Sequence, residues 1–217
     1  MSRFLRLSSL FLLCLTACKT PYKHLVPLSK GGVSALKYKP VYNKALYRCT
    51  VDGRVLFKKF HISGILFFKY VETGTVHAVF QNEMGYTFFD FEWNAKDSFE
   101  VKQVIPQLDK PALIKTLKKD FSLLLMKGLD RSKEVFYSTD GGKLHYSCFP
   151  LEKGVAYYIS GNNKLERIEN AGKRNKVTTI NIGGKATDSA MPDTVVYHHN
   201  KAKFSIALYK LETHADE

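Results

Sequence analysis

From Ala45 onward the apolar residues come in short runs separated by turn residues, the texture of strands rather than helices. ALYRCTVDGRVLFKKF leads into HISGILFFKYV, and a turn at 72–74 separates that run from TVHAVFQN. A turn at 83–85 precedes YTFFDFEWN and FEVKQVI. Later runs are EVFYS, KLHYSCF, VAYYIS, KLERIE, KVTTINI, TVVYHH and KFSIALYKL. Thr139-Asp140-Gly141-Gly142 and Gly161-Asn162-Asn163 supply the positive φ that tight hairpins demand. This spacing predicts an antiparallel meander of about ten strands.

One segment departs from the pattern. Leu113, Leu117, Phe121, Leu124 and Leu125 recur at helical spacing, with Lys115, Lys118 and Lys119 opposite. Asp109 as N-cap, Pro111 in the first turn and Gly128 as the stop frame a long amphipathic helix. The expected fold class is therefore mainly β with one long helix, whose apolar stripe lies on the sheet or on something bound to it.

GILFFKYV and YTFFDFEW are apolar on both faces, whereas a sheet with one wet side alternates cleanly. Two accounts stay open. The sheet is covered on one face with a deep core on the other, or part of its apolar surface awaits a ligand.

The first twenty residues, MSRFLRLSSLFLLCLTACKT, have a different character. Arg3 and Arg6 precede an apolar run from Leu7 to Leu15, and Thr16 and Ala17 are small. As a helix, Leu7 to Ala17 would span about 16 Å, too short for a bilayer core of about 30 Å. Residues 1–17 thus read as a signal peptide, with Cys14 as apolar filler. Leu15-Thr16-Ala17-Cys18 resembles the bacterial lipobox, which implies that Cys18 is acylated and becomes the first mature residue. One acyl chain binds marginally and two or more anchor stably, so the resemblance implies a permanent tie to membrane lipid. Lys19 in place of Asp favours the outer membrane by similarity to enterobacterial sorting. The missing acidic cluster behind Cys18 favours a periplasm-facing domain. The stretch KTPYKHLVPLSKGGVSALKYKPVYN has no period, so residues 18–44 read as the lipidated cysteine with a flexible tether, and 45–217 as the folded domain.

Charge changes the picture only in part. A net charge of +13 suits an anionic partner, and in an exported protein lipid headgroups fit better than nucleic acid. Scattered lysines that keep a β protein soluble give the same sum. Cys49 and Cys148 remain beyond the signal, and an oxidising compartment leaves two readings, a disulfide or two separately buried thiols.

Motifs for covalent chemistry are missing. Asn181-Ile182-Gly183-Gly184-Lys185 lacks the phosphate-loop residues at Thr179 and Ala186. His198 and His199, adjacent on a strand, point to opposite faces and cannot share one metal ion. Asp90 and Glu92 share a face with no partner acid or nucleophile nearby in sequence, and no GxSxG, HExxH or CxxC occurs. The sequence predicts neither an enzyme nor a cofactor or metal site.

HISGILFFKYVETGTVHAVFQNEMGYTFFDFEWN, the helix after it and the closing TVVYHHNKAKFSIALYKLE resemble the LolA/LolB-type lipoprotein-carrier superfamily, over about Ala45 to Glu212. The likeness rests on element order and on the strand opening at Ile62-Ser63-Gly64. It implies an incomplete antiparallel β-barrel, a half-barrel with a helical lid and an apolar cavity for acyl chains of lipoproteins or other lipids. The outer-membrane branch is itself lipidated, as at Cys18, and carries an exposed apolar hairpin tip that delivers cargo. Met84 in Asn82-Glu83-Met84-Gly85 is the matching membrane-contact candidate. Ile65, Phe67, Phe89, Leu117 and Phe121 are the candidate cavity residues, while the opposite-face set Leu66, Phe68 and Phe88 fits the pattern almost as well. The rival reading is a scaffold lipoprotein with a filled core that binds envelope proteins through its surface.

Overall fold

The computed structural model describes residues 21–28, 31–55, 57–71, 74–139, 141–172, 175–184, 189–200 and 202–212. The signal peptide, Cys14 and Cys18 lie outside them.

Strands β1 (Val26–Pro27), β2 (Lys44–Val55), β3 (Lys58–Tyr70), β4 (Val76–Gln81), β5 (Thr87–Trp93) and β6 (Phe99–Val104) precede the helix α1 (Pro111–Leu124). Strands β7 (Val135–Ser138), β8 (His145–Pro150), β9 (Val155–Gly161) and β10 (Lys164–Ala171) follow it. The chain closes with β11 (Lys176–Gly183), β12 (Thr194–His199) and β13 (Phe204–Lys210). All thirteen form one antiparallel sheet, ordered β1-β7-β8-β9-β10-β11-β12-β13-β2-β3-β4-β5-β6. β6 and β1 stand at opposite ends of this order, so the sheet does not close and the fold is an open half-barrel around α1.

The long β2–β3 hairpin joins the two halves, pairing Lys44 with Lys69 through to Val55 with Lys58. In β3, Gly64, Leu66 and Phe68 are buried on the inner face, while Ile65 and Phe67 are half-buried on the outer one. Leu46, Phe67 and Val79 are neighbours across three strands, and the Lys44 ammonium covers the Phe67 ring at 5.9 Å. That outer row explains why the strands read as apolar on both sides. Gly64 is required by packing. A Cβ there would strike the Gln81 carbonyl and the Phe80 ring, beside the bulge in the β4–β5 pairing.

α1 differs from its expected outline at both ends. Its N-cap is Lys110, without a side-chain cap bond, rather than Asp109; Pro111 does occupy the first turn. It stops at Leu124, short of Gly128. Met126 takes the left-handed conformation (φ 51°), and the amides of Met126 and Lys127 donate to the carbonyls of Leu123 and Ser122. This is a Schellman closure with methionine where glycine is usual. Burial of the Met126 side chain in the core accounts for the choice.

Within the stretch expected as a flexible tether, residues 21–28 and 31–44 are laid along the sheet. Tyr22 and Leu25 pack on an outer cluster of Tyr146, Cys148 and Ile159. β1 then pairs with β7, so the strap covers that edge of the sheet. A 3₁₀ turn, Ala35–Tyr38, enters the half-barrel, and Ala35 and Tyr38 join the inner core. The Glu134 carboxylate holds this entry, accepting from Ser34 Oγ, the Ala35 amide and Ser147 Oγ. Tyrosine rings and the half-buried Glu134 carboxylate fix a segment whose prolines and glycines carry no period. The other edge, β6, leaves Glu100 and Lys102 exposed, which discourages pairing with another chain.

Candidate functional site

α1 lies inside the half-barrel with its C-terminal half pinned. The Phe121 ring meets Phe68 edge-on at 5.7 Å, Tyr197 edge-on at 6.3 Å and Phe89 tilted at 6.0 Å. Trp93 Nε1 donates to Ser122 Oγ at 2.9 Å, and Tyr158 OH donates to the Leu123 carbonyl at 2.9 Å.

Toward its uncapped N-terminus, α1 roofs a cavity of about 150 Å³. Leu113, Leu117 and Phe121 of the helix and Leu108 before it form one wall. Leu66, Phe80 and Phe89 form the floor, and Cys49, Ile62, Phe204 and Ile206 the far side, with Val51 and Phe60 beyond. All these side chains are apolar or, for Cys49, a thiol that burial pushes up to about 12 and so keeps neutral. A cavity of this size and lining stays dry and takes a benzene-sized guest. More than a short stretch of acyl chain fits only when the roof shifts.

Of the candidate residues, Phe89, Leu117 and Phe121 line this space, whereas Ile65 and Phe67 face the outer side of β3. Leu66 of the alternative set lines it, Phe68 is buried beside Phe121, and Phe88 is only partly buried. Strand period alone could not choose, because the outer row is apolar too. The wall contributed by β2 and β13 is formed by pairing across more than 150 residues, as in Leu208 opposite Cys49, and leaves no local signal.

Cys49 and Cys148 are both free and buried, so the disulfide reading gives way to two separate thiols. Five strands separate β2 from β8 in the sheet, and Cys148 belongs to the outer cluster while Cys49 faces inward. Met84 is 90% exposed at the β4–β5 turn, where Asn82 Oδ1 accepts from the Met84 and Tyr86 amides.

Behind Phe121 sits a polar pair that the sequence did not point to. Asp120 Oδ2 is 2.5 Å from His199 Nε2, and His199 Nδ1 is 3.2 Å from the Phe204 carbonyl. His198, next in sequence, is exposed on the other face, as strand period requires. Burial pushes the Asp120 carboxyl up, against the pull of the His199 bond. Both imidazole nitrogens face oxygen, so the ring has none to offer a substrate as a base. Asp90 and Glu92 are taken up on the outer face by His77, at 2.9 and 3.2 Å. Among the described residues, no group of three metal-ligating side chains forms, and no helix is long and apolar enough to cross a membrane.

No family model and no curated protein matches the chain. Among solved structures, it is similar to a DUF1329 family protein from Desulfovibrio piger, at 9% identity and a TM-score of 0.43, over 82% of this chain and 88% of that one. A Vibrio parahaemolyticus domain described as an outer membrane lipoprotein-sorting protein gives 8% and 0.45, over 84% and 91%. A LolA superfamily protein from Nitrosomonas europaea gives 6% and 0.44, over 82% and 89%.

Proposed function

We propose that the chain is an outer-membrane lipoprotein, anchored through acylated Cys18 and facing the periplasm, that takes the apolar part of a lipid or lipoprotein acyl group into the cavity beneath α1. The observation that carries this reading is the wholly apolar lining of that cavity, in a half-barrel whose roof is fastened chiefly from Lys119 to Leu123. Binding is burial without covalent chemistry. Each CH₂ removed from water contributes about 0.8 kcal/mol, so a segment of five contributes about 4 kcal/mol. Deeper uptake requires the Leu113–Leu117 end of α1 to lift while Ser122 and Leu123 stay bonded. Release follows when the bilayer offers the chain an equally apolar home.

The test is thermal unfolding of the delipidated protein with and without palmitate, on wild type and Ile62→Trp. A carrier gains stability from palmitate, and the bulky residue raises the ligand-free melting temperature while abolishing the gain. If palmitate leaves wild type unchanged and Ile62→Trp costs the 1–3 kcal/mol of an overpacked core, the fold is a filled scaffold instead.

A further inference from the structure

We propose that one end of the half-barrel, formed by the β2–β3, β10–β11 and β12–β13 turns, rests on an anionic bilayer, and that docked Tyr22 keeps that end turned toward it. The second half rests on the reading of Cys18 as the anchor; the first does not.

In an antiparallel meander alternate turns fall at the same end, and hydrogen bonds tie these three together. The Arg54 amide donates to the Lys203 carbonyl, and the Asn200 amide to that of Val177. Cations crowd the β2–β3 tip of this end, while Glu83 and Glu152 stand on its β4–β5 and β8–β9 turns. Arg54, Lys58 and Lys59 flank the β2–β3 tip, and Lys203 is exposed beside them. The opposite end carries Lys96 beside Asp97, and Asp193 paired with Lys210 at 3.9 Å.

Apolar side chains stand among the cations. Phe57 is 96% exposed at the β2–β3 tip, and Met84 and Tyr86 are exposed at the β4–β5 turn of the same end. An aromatic ring ringed by lysines matches an interface with apolar chains below and phosphates above.

The strap begins at this end too. Pro21, Tyr22 and Lys23 line a groove with Gly154 of the β8–β9 turn and Gly172 of the β10–β11 turn. Tyr22 OH donates to Glu169 Oε2 at 2.6 Å, and its ring stacks on Tyr157 at 3.8 Å. Glu169 is almost fully buried, its Oε1 held by Lys176 and Arg167, each at 2.8 Å. Three residues lie between Cys18 and Tyr22, and four Cα steps reach at most about 14 Å. The anchor is a short leash on the basic end, not a long tether.

Two measurements separate the two halves. A chain beginning at Lys19 keeps every described element; its melting temperature checks the fold, and flotation reads its binding to phosphatidylcholine vesicles with and without phosphatidylglycerol. Binding should require phosphatidylglycerol and weaken with salt. Lysines near an anionic surface contribute about fivefold each in partitioning, so Lys58→Glu/Lys59→Glu/Lys203→Glu should cost at least about a hundredfold. Lys96→Glu/Lys143→Glu/Lys164→Glu, at the other end, should cost less than tenfold. Equal binding to both vesicles, or equal losses from both triple variants, overturns the surface. The second measurement uses the full chain reconstituted in the anionic vesicles, labelled at Glu83→Cys or at Lys96→Cys. Bilayer nitroxides should quench the first label and spare the second, and Tyr22→Ala should lower the first. Equal quenching of the two labels, or no effect of Tyr22→Ala, overturns the latch. A full chain that washes off neutral vesicles indicts the Cys18 anchor and leaves the surface result standing.

Discussion

Asp120 on α1 and His199 on β12 meet at 2.5 Å across 79 residues of sequence, both shielded from solvent. The stacked Phe204 ring, 3.9 Å from the imidazole, closes one side, and Lys119 and Tyr197 are the other titratable groups nearby. With oxygen at both ring nitrogens, the pair must hold a proton between them to satisfy both contacts. It fastens the middle of α1 to the sheet just behind the cavity.

Asp120→Asn tests that proton. The Asp120 carboxyl is raised by burial, so the folded protein holds its proton to higher pH than the unfolded chain, where aspartate titrates near about 3.9. The contribution is therefore complete below that value and is lost as pH rises through the folded one. Urea midpoints of both proteins between pH 4 and 8 should show wild type losing ground to Asp120→Asn as pH rises. A gap that stays constant, or opens the other way, refutes the assignment.

Phe121→Ala removes the ring shared by Phe68, Phe89 and Tyr197. The truncation should cost about 3–5 kcal/mol and enlarge the space beneath α1. Calorimetry of the variant should show a lower melting temperature and a larger gain from palmitate than wild type shows. A smaller gain than wild type's places the guest elsewhere.

The two thiols give a count. Burial pushes Cys49 and Cys148 up to about 12, so at pH 8 the thiolate fraction of each is on the order of 10⁻⁴. Neither should react with iodoacetamide in the folded protein, and both should react on unfolding without reductant. Mass spectrometry finding rapid native modification contradicts their burial. No free thiol after unfolding would restore the disulfide.

Cys18→Ser tests the anchor. The substitution should leave an unprocessed precursor without acyl mass, while wild type is cleaved before Cys18 and partitions into detergent. Intact mass and phase separation decide the matter. A serine variant cleaved at the same bond and still carrying acyl mass removes the lipobox reading.

The sequence by itself determined the meander from Ala45 onward and the helix that interrupts it, but not β1, the β2–β3 turn or the helix ends. Meander and helix are local matters, where alternation, 3.6-residue spacing and residues such as Gly141 and Asn162 act within a few positions. It also determined that His198 and His199 part company. Tertiary structure decided which face of β3 is the inside, because Leu46, Phe67 and Val79 make the outer face apolar as well. Only folding drew Tyr22 onto Glu169, turning an expected tether into a strap, since the carboxylate and its cations lie more than 140 residues away. Only folding brought Asp120 to His199 behind the cavity, and Cys49 and Ile206 together in its wall. Residue periodicity says how often a chain turns inward, and the pairing of distant strands says what it meets there.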